Sequence, residues 1–424
     1  MKEKYSVVCS ECGEIVHDKY AQSCSHNHSG LLKTEYSKKD LVVHNSFGIF
    51  RFSDWLPVEG EILVESRPVT FHNADLSKET GLSNLSLTFS GYFPEEGARM
   101  QTCSFKELEA VPTLQRMINR KKEVLIIASA GNTARAFAQV SAISKVPVIL
   151  VVPENSLSRL WTTVESENIL LITVKGDYSD AIECSRKITS VECVIPEGGA
   201  RNIARRDGMA TVLIDYVMTK GHLPLHYVQA IGSGTGAIAA NEAAKRFLKA
   251  GRYGSELPHT HLAQNAPFTP MVSAWREGRR DLIPDIDMPD ARESIAKVYA
   301  DVLTNRNPPY SIRGGVFDTM TDSNGLAYAV TNEEARSAGK LFTDCLGVDP
   351  DPAAAVSLAA LLQAVDSHSI KPSDSVLLNV TGGGYSRVKE DFTLIPVPVT
   401  IKLPSNEPGI EVLKDISGWV KENV

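Results

Sequence analysis

The chain has 424 residues, too many for one ordinary hydrophobic core and enough for two or three domains. A composition of 43% hydrophobic and 22% charged residues is that of a globular protein, and a net charge of −7 removes general attraction to nucleic acid or anionic membrane. No apolar run, the longest being 146–153, approaches the roughly 20 residues of a spanning helix. Short basic clusters (Arg120, Lys121, Lys122; Arg279, Arg280) read as solvated faces. The N-terminus shows no secretory apolar region. Seven cysteines, an odd number with Cys103, Cys184, Cys193 and Cys345 scattered, fit a reducing cytoplasm.

In chain order, residues 1–30 read as a separate small unit. Cys9 and Cys12 form a CxxC knuckle, and Cys24, His26 and the nearby His28 follow. Four such ligands make a tetrahedral zinc site, with Cys9, Cys12, Cys24 and His26 as the candidates. A metal-free ribbon with a reduced thiol pair is the alternative. Residues 31–95 alternate apolar runs and turns, predicting strands at 42–43, 47–52, 62–64 and 85–89.

From residue 124 a strand–helix rhythm sets in. Strands are predicted at 124–128, 146–152, 169–174 and 191–195, with helices at 134–143, around 157–167 and from about 178. The second half repeats it: strand 227–231, helix 237–250, strand 259–264, a turn-rich stretch 265–324 with a helix near 291–303, and strand 375–380. Asp351 and Pro352 read as an N-cap and first helical position for a helix 353–365. The last fifteen or so residues read as a helix. This is an α/β chain with two doubly wound lobes. The expected boundaries are a ribbon at 1–30, a smaller mobile lobe at 96–195, and a larger lobe from 31–95 and 196–424.

Ligands collect at the carboxyl ends of parallel strands. Three turns qualify: Ser129 to Thr133, Thr381 to Gly384, and Gly232, Ser233, Gly234, Thr235, Gly236. The last precedes a helix, so converging backbone N–H groups make a phosphate cradle. It also satisfies GxGxxA, which would suit a dinucleotide. The following strand, however, ends Leu262, Ala263, Gln264, with no acidic residue for a ribose. Ahead of all three stands Ser104, Phe105, Lys106, after a turn-rich segment at 91–97. One amine with phosphate-sized glycine loops points to a cofactor bearing an aldehyde and a phosphate, with Lys106 as its Schiff-base lysine. His259 and His261, two apart on a strand, read as packing or surface groups.

In order and spacing, Ser104-Phe105-Lys106, the turn 129–133, residues 232–236 and Thr381-Gly382 resemble the four cofactor motifs of fold-type II pyridoxal phosphate enzymes (tryptophan synthase β-like). The N-terminal knuckle, the stretch 174–180 and Arg206 to Thr211 make the chain similar to the threonine synthase family. Two departures stand out: Glu107, Leu108 and Glu109 follow Lys106, and Gly383 stands where that family usually has histidine. These departures point away from phosphohomoserine as substrate; as a whole the sequence most resembles the relatives of that family in methanogenic archaea that make L-cysteate for coenzyme M. The resemblance implies pyridoxal 5'-phosphate on Lys106, Asn132 at the ring's phenolic oxygen, residues 232–236 at the phosphate, and Thr381 at the pyridine nitrogen.

It also implies β-replacement, converting O-phospho-L-serine and sulfite to L-cysteate and phosphate. Threonine formation from O-phosphohomoserine, or cysteine formation with sulfide, remain the alternatives on the same scaffold. Both substrates are anions, so Arg99, Arg205 and Arg206 are candidate anion ligands, with Ser104, Ser129 and Thr133 near the substrate. The fold implies a homo-oligomer, with small-molecule substrates as its other partners.

Overall fold

The computed structural model describes residues 3–120 and 122–424; Lys121, in the first basic cluster, lies outside the described residues. The apolar runs of the sequence build two open sheets. One has five strands, all parallel, in the order Val194–Pro196, Val124–Ala128, Val148–Pro153, Ile169–Val174 and Ile401–Leu403. The other has six: Leu326–Val330, His259–Asn265, His226–Ala230, Ser375–Val380, Asn84–Phe89 and Val69–Phe71. Only the last of these pairs antiparallel. Near-continuous burial along these strands is what parallel sheets with helices on both faces require.

Helix starts follow local chemistry. Asp177 closes a capping box on Tyr178–Ile188, and Asp351 accepts from Ala353 N at 2.9 Å ahead of Pro352. Helices Lys106–Asn119 and Ile203–Lys220 pack closely at Gly208, where an added Cβ would overlap the Leu108 carbonyl oxygen. This approach brings Lys106 beside Arg205. In the six-stranded sheet, His261 is buried between His226 (2.9 Å) and the Tyr328 hydroxyl (2.8 Å). Burial pulls its pKa down to about 3, so it is a neutral packing group, as expected. His259 meets the Ser323 carbonyl at 3.1 Å.

Several expectations change. Residues 42–43 and 62–64 form no strand, and 48–52 of the run expected at 47–52 belongs to the 3-10 helix Gly48–Trp55, which buries Ile49, Phe50, Phe52 and Trp55. A short apolar run does not distinguish strand from buried helix. The helix expected around 157–167 is a 3-10 turn, Glu154–Arg159, followed by the strand Trp161–Thr162, which pairs with Ile395–Pro396. The helix expected to reach 303 stops at Lys297. Helices Lys106–Asn119, Ile203–Lys220 and Asn332–Leu346 were not anticipated. The ribbon extends to Tyr36, because Leu32–Tyr36 pairs with Tyr5–Cys9. The chain's end also departs from the expected larger lobe. Ile401–Leu403 joins the five-stranded sheet, and Ile416 and Val420 of the last helix enter that sheet's core. Among the described residues no helix is long and apolar enough to cross a membrane.

Candidate active site

Lys106 is the first residue of its helix, and backbone hydrogen bonds sew its approach to the Thr381 turn. Phe105 N–H donates to the Thr381 carbonyl at 3.0 Å, and Gly383 N–H to the Cys103 carbonyl at 3.0 Å. Cys103 adopts a left-handed φ of 55° to make the turn. Ser104 is buried, and its Oγ accepts the Lys106 N–H at 3.4 Å. It caps the turn and is not among the cavity-lining residues.

The cavity has a volume of about 370 Å³. Lys106, Ser129, Asn132, Thr133, Arg205, Gly232, Ser233, Gly234, Thr235, Gly236 and Thr381 all line it. The sequence motifs, spread over 276 positions from Lys106 to Thr381 counted inclusively, are thus brought to one place. Gly234 has φ of 75° and leads into helix Thr235–Ala250; a side chain there would collide with Val316. Thr235 N–H donates to Ser233 Oγ at 3.3 Å, and the first-turn N–H groups of a helix suit an anion at such a turn. An amine, a backbone anion cradle and a strand-end threonine around one cavity fit pyridoxal phosphate.

Lys106 Nζ lies 3.5 Å from Glu109 Oε2 and 4.6 Å from the Phe105 ring centre. Glu109 is fully buried. It also pairs with Arg205 Nε at 2.8 Å and accepts from Thr133 Oγ1 at 3.0 Å. Arg205 Nη1 in turn donates to Glu197 at 2.7 Å. Burial lowers the Lys106 pKa from the ordinary amine range, with Glu109 opposing that shift. The two carboxylates raise the pKa of Arg205 despite its burial.

Asn132 is held from one side. Arg135 Nη2 donates to Asn132 Oδ1 at 2.7 Å and to the Tyr385 hydroxyl at 2.9 Å, while Arg135 Nε donates to the Thr102 carbonyl. Tyr385 donates to Asp351 at 2.9 Å, and burial raises its pKa so that it keeps its proton. With Oδ1 occupied, Asn132 presents its amide N–H groups, and Nδ2 lies 3.5 Å from Asp351.

Two of the expected anion ligands lie outside the cavity wall. Arg206 is 1% exposed, pairs with Glu242 at 3.2 Å, and donates to the carbonyls of Ala200 and Leu32. It anchors the N-terminal ribbon. Arg99 is half exposed, 3.9 Å from Glu65. The wall instead contains Arg159, paired with Asp301 at 2.5 Å, and Arg306, paired with Asp177 at 3.1 Å. Sequence reasoning missed both, since each sits in a stretch with no motif. Glu109 was visible as a departure after Lys106, without a role. Away from this cavity, Cys9, Cys12 and Cys24 of the expected zinc set come together in the ribbon with His28, whereas His26 groups with Cys12, Glu14 and Cys24 and not with Cys9.

Residues 83–382 match the family model of the pyridoxal-phosphate dependent enzymes. The chain is 51% identical over 423 residues to the cysteate synthase of Methanoculleus marisnigri, covering 100% of this chain and 98% of that one. It is also 51% identical to the cysteate synthase of Methanoregula boonei, covering 99% of each chain, and 46% identical to that of Methanosarcina acetivorans, covering 97% and 99%. Among solved structures, serine racemase from Dictyostelium discoideum superposes with a TM-score of 0.55 at 18% identity, over 75% of this chain and 92% of that one. A fungal L-serine ammonia-lyase from Rhizomucor miehei gives 0.56 at 16% identity, over 79% and 100%. The motifs converge on one cavity and the match to cysteate synthases covers nearly the whole chain, so the chain belongs to the pyridoxal-phosphate-dependent enzymes and, within them, to the cysteate synthase family.

Proposed function

We propose that this chain converts O-phospho-L-serine and sulfite into L-cysteate and phosphate, with pyridoxal phosphate held on Lys106. The observation that carries the reading is the buried Lys106 amine, in one cavity with the 232–236 turn, Asn132 and Thr381. The turn at 232–236 would hold the cofactor phosphate, Asn132 would hold the ring's phenolic oxygen, and Thr381 would hold the ring nitrogen. When bound, pyridoxal phosphate supplies the electron sink that lets a Cα–H bond break and a β-substituent leave.

The chain's own part is proton transfer and anion handling. Lys106 Nζ takes the substrate's Cα proton and later returns one to the product's Cα. Its burial favours the neutral amine that this task needs. A hydroxyl at Thr381, unlike a carboxylate, carries no charge that would hold a proton on the ring nitrogen. Arg205 is engaged by Glu109 and Glu197. Arg159 and Arg306, each paired with one carboxylate and partly exposed, are left to receive phosphate and sulfite. Ser129 and Thr133 line the same wall and bind the substrate's carboxylate end.

The test is phosphate release by the cofactor-loaded protein, with products identified by mass. O-phosphoserine plus sulfite should give phosphate and L-cysteate. Threonine from O-phosphohomoserine, or cysteine with sulfide in preference to cysteate with sulfite, would replace this reading with another on the same scaffold.

A further inference from the structure

The N-terminal ribbon holds three thiols (Cys9, Cys12, Cys24) and three imidazoles (His17, His26, His28) that the cavity chemistry does not use. Cys12 Sγ lies 3.7 Å from Cys24 Sγ, and Cys9 Sγ lies 3.9 Å from His28 Nδ1. The ligand atoms of Cys9, Cys12, Cys24 and His28 all fall within 4.8 Å of one another. A tetrahedral zinc ion with thiolates at about 2.3 Å sets its sulfurs roughly 3.8 Å apart. The observed spacing is thus that of ligands around a common centre. The knuckle geometry agrees. Glu11 N–H donates to Cys9 Sγ at 3.4 Å, Gly13 N–H donates to the Cys9 carbonyl at 3.0 Å, and Gly13 takes a left-handed φ of 76°.

We propose that Cys9, Cys12, Cys24 and His28 bind one structural zinc ion, with His28, not His26, as the fourth ligand. A second foursome, Cys12, Glu14, Cys24 and His26, is also within reach. It leaves Cys9, buried and already accepting a backbone N–H, without a role. In addition, His26 Nδ1 is engaged by the Glu14 carboxylate at 2.9 Å and its side chain is 62% exposed. Three thiolates and one imidazole form a closed zinc site of the structural kind, whereas a carboxylate-containing set is harder and more open.

The ribbon needs such a staple. Its own buried cluster is Tyr5, Val7, Cys9, Cys24 and Leu32, with Ile203 from the main body. Between Cys9 and Leu32 the only regular element is the two-residue strand Ile15–Val16. So small a core does not order a loop of that length without a metal or crosslink. Binding forms three Zn–S bonds and one Zn–N bond and releases the three thiol protons. The ordered ribbon then docks on the enzyme body. Leu31 N–H donates to the Arg313 carbonyl at 2.9 Å, Arg201 Nη2 to the Ser29 carbonyl at 3.1 Å, and Thr34 Oγ1 to Asp207 at 2.7 Å.

The experiment uses the full chain, produced with zinc in the medium, and reads metal content by elemental analysis and ligands by X-ray absorption. The expected result is one zinc per chain with three sulfurs at about 2.3 Å and one nitrogen at about 2.0 Å. Cobalt substituted for zinc should show tetrahedral visible bands with thiolate charge transfer, a readout that needs no variant. His28→Ala should surrender its zinc to a chelator at least tenfold faster than the parent, and His26→Ala at the parent's rate. A zinc-free protein, a Cys12–Cys24 disulfide found by peptide mass, or the reverse order of the two histidine variants would overturn the assignment.

Discussion

Two sets of arginines meet the same cavity, and their carboxylates separate them. Arg205 lies buried between Glu109 and Glu197, and shares the Glu109 Oε2 oxygen with Lys106. Arg205 there has two carboxylate partners in place before any ligand arrives. Arg159 and Arg306 lie on the more exposed part of the wall, each against a single carboxylate, Asp301 and Asp177. A charge buried with full compensation holds structure together and tunes its neighbour's pKa. A charge with one partner and access to water can exchange that partner for a substrate anion.

The largest expected effect tests the amine that the buried set surrounds. Lys106→Ala should lower kcat by at least about a thousandfold, the scale of a lost general base, and abolish the borohydride-reducible visible band. A variant that keeps the band would move the cofactor to another lysine. Next comes Arg205→Leu, which leaves Glu109 and Glu197 uncompensated inside the protein. Its unfolding free energy should fall by about 3–5 kcal/mol in a denaturant titration, the cost of breaking a buried pair.

Arg306→Ala should do the opposite. Stability should move by less than about 1 kcal/mol, while kcat/KM for O-phosphoserine falls roughly 10–100-fold, mostly through KM, as expected for a lost charged hydrogen bond. If Arg205→Leu shows the KM effect and Arg306→Ala the stability effect, the division between the two sets collapses. The smallest effect is a pH shift. Glu109 holds the Lys106 pKa up against burial, and Arg205 pushes it down. Glu109→Gln therefore lowers that pKa further, so the neutral amine exists at lower pH. Recombination of the cofactor-free protein with pyridoxal phosphate, followed by visible absorbance, should then begin at lower pH than in the parent. An unchanged profile would mean that Glu109 serves Arg205 alone.

Much of this site was legible before any coordinates. The strands 124–128, 169–174 and 375–380 announce themselves as continuous apolar runs, and the turns at 129–133, 232–236 and 381–384 each stand at a strand end. The residues that proved harder have identities that say nothing of their partners. Arg205 and Arg206 are neighbours in sequence, yet successive helical positions point about 100° apart. One enters the cavity wall, and the other anchors the ribbon through the carbonyls of Ala200 and Leu32.

The sequence by itself determined the order and type of the cofactor motifs, the α/β rhythm, and the caps at Asp177 and Asp351, because each depends on residues within a turn or two of one another. Tertiary structure alone decided which cations are compensated, which histidine sits with Cys9, and that Ile401–Leu403 completes the five-stranded sheet. Those outcomes rest on charge pairing, ligand distance and strand pairing between distant segments. Such terms have no local signature, since the partner that settles each one is chosen only when the chain has packed.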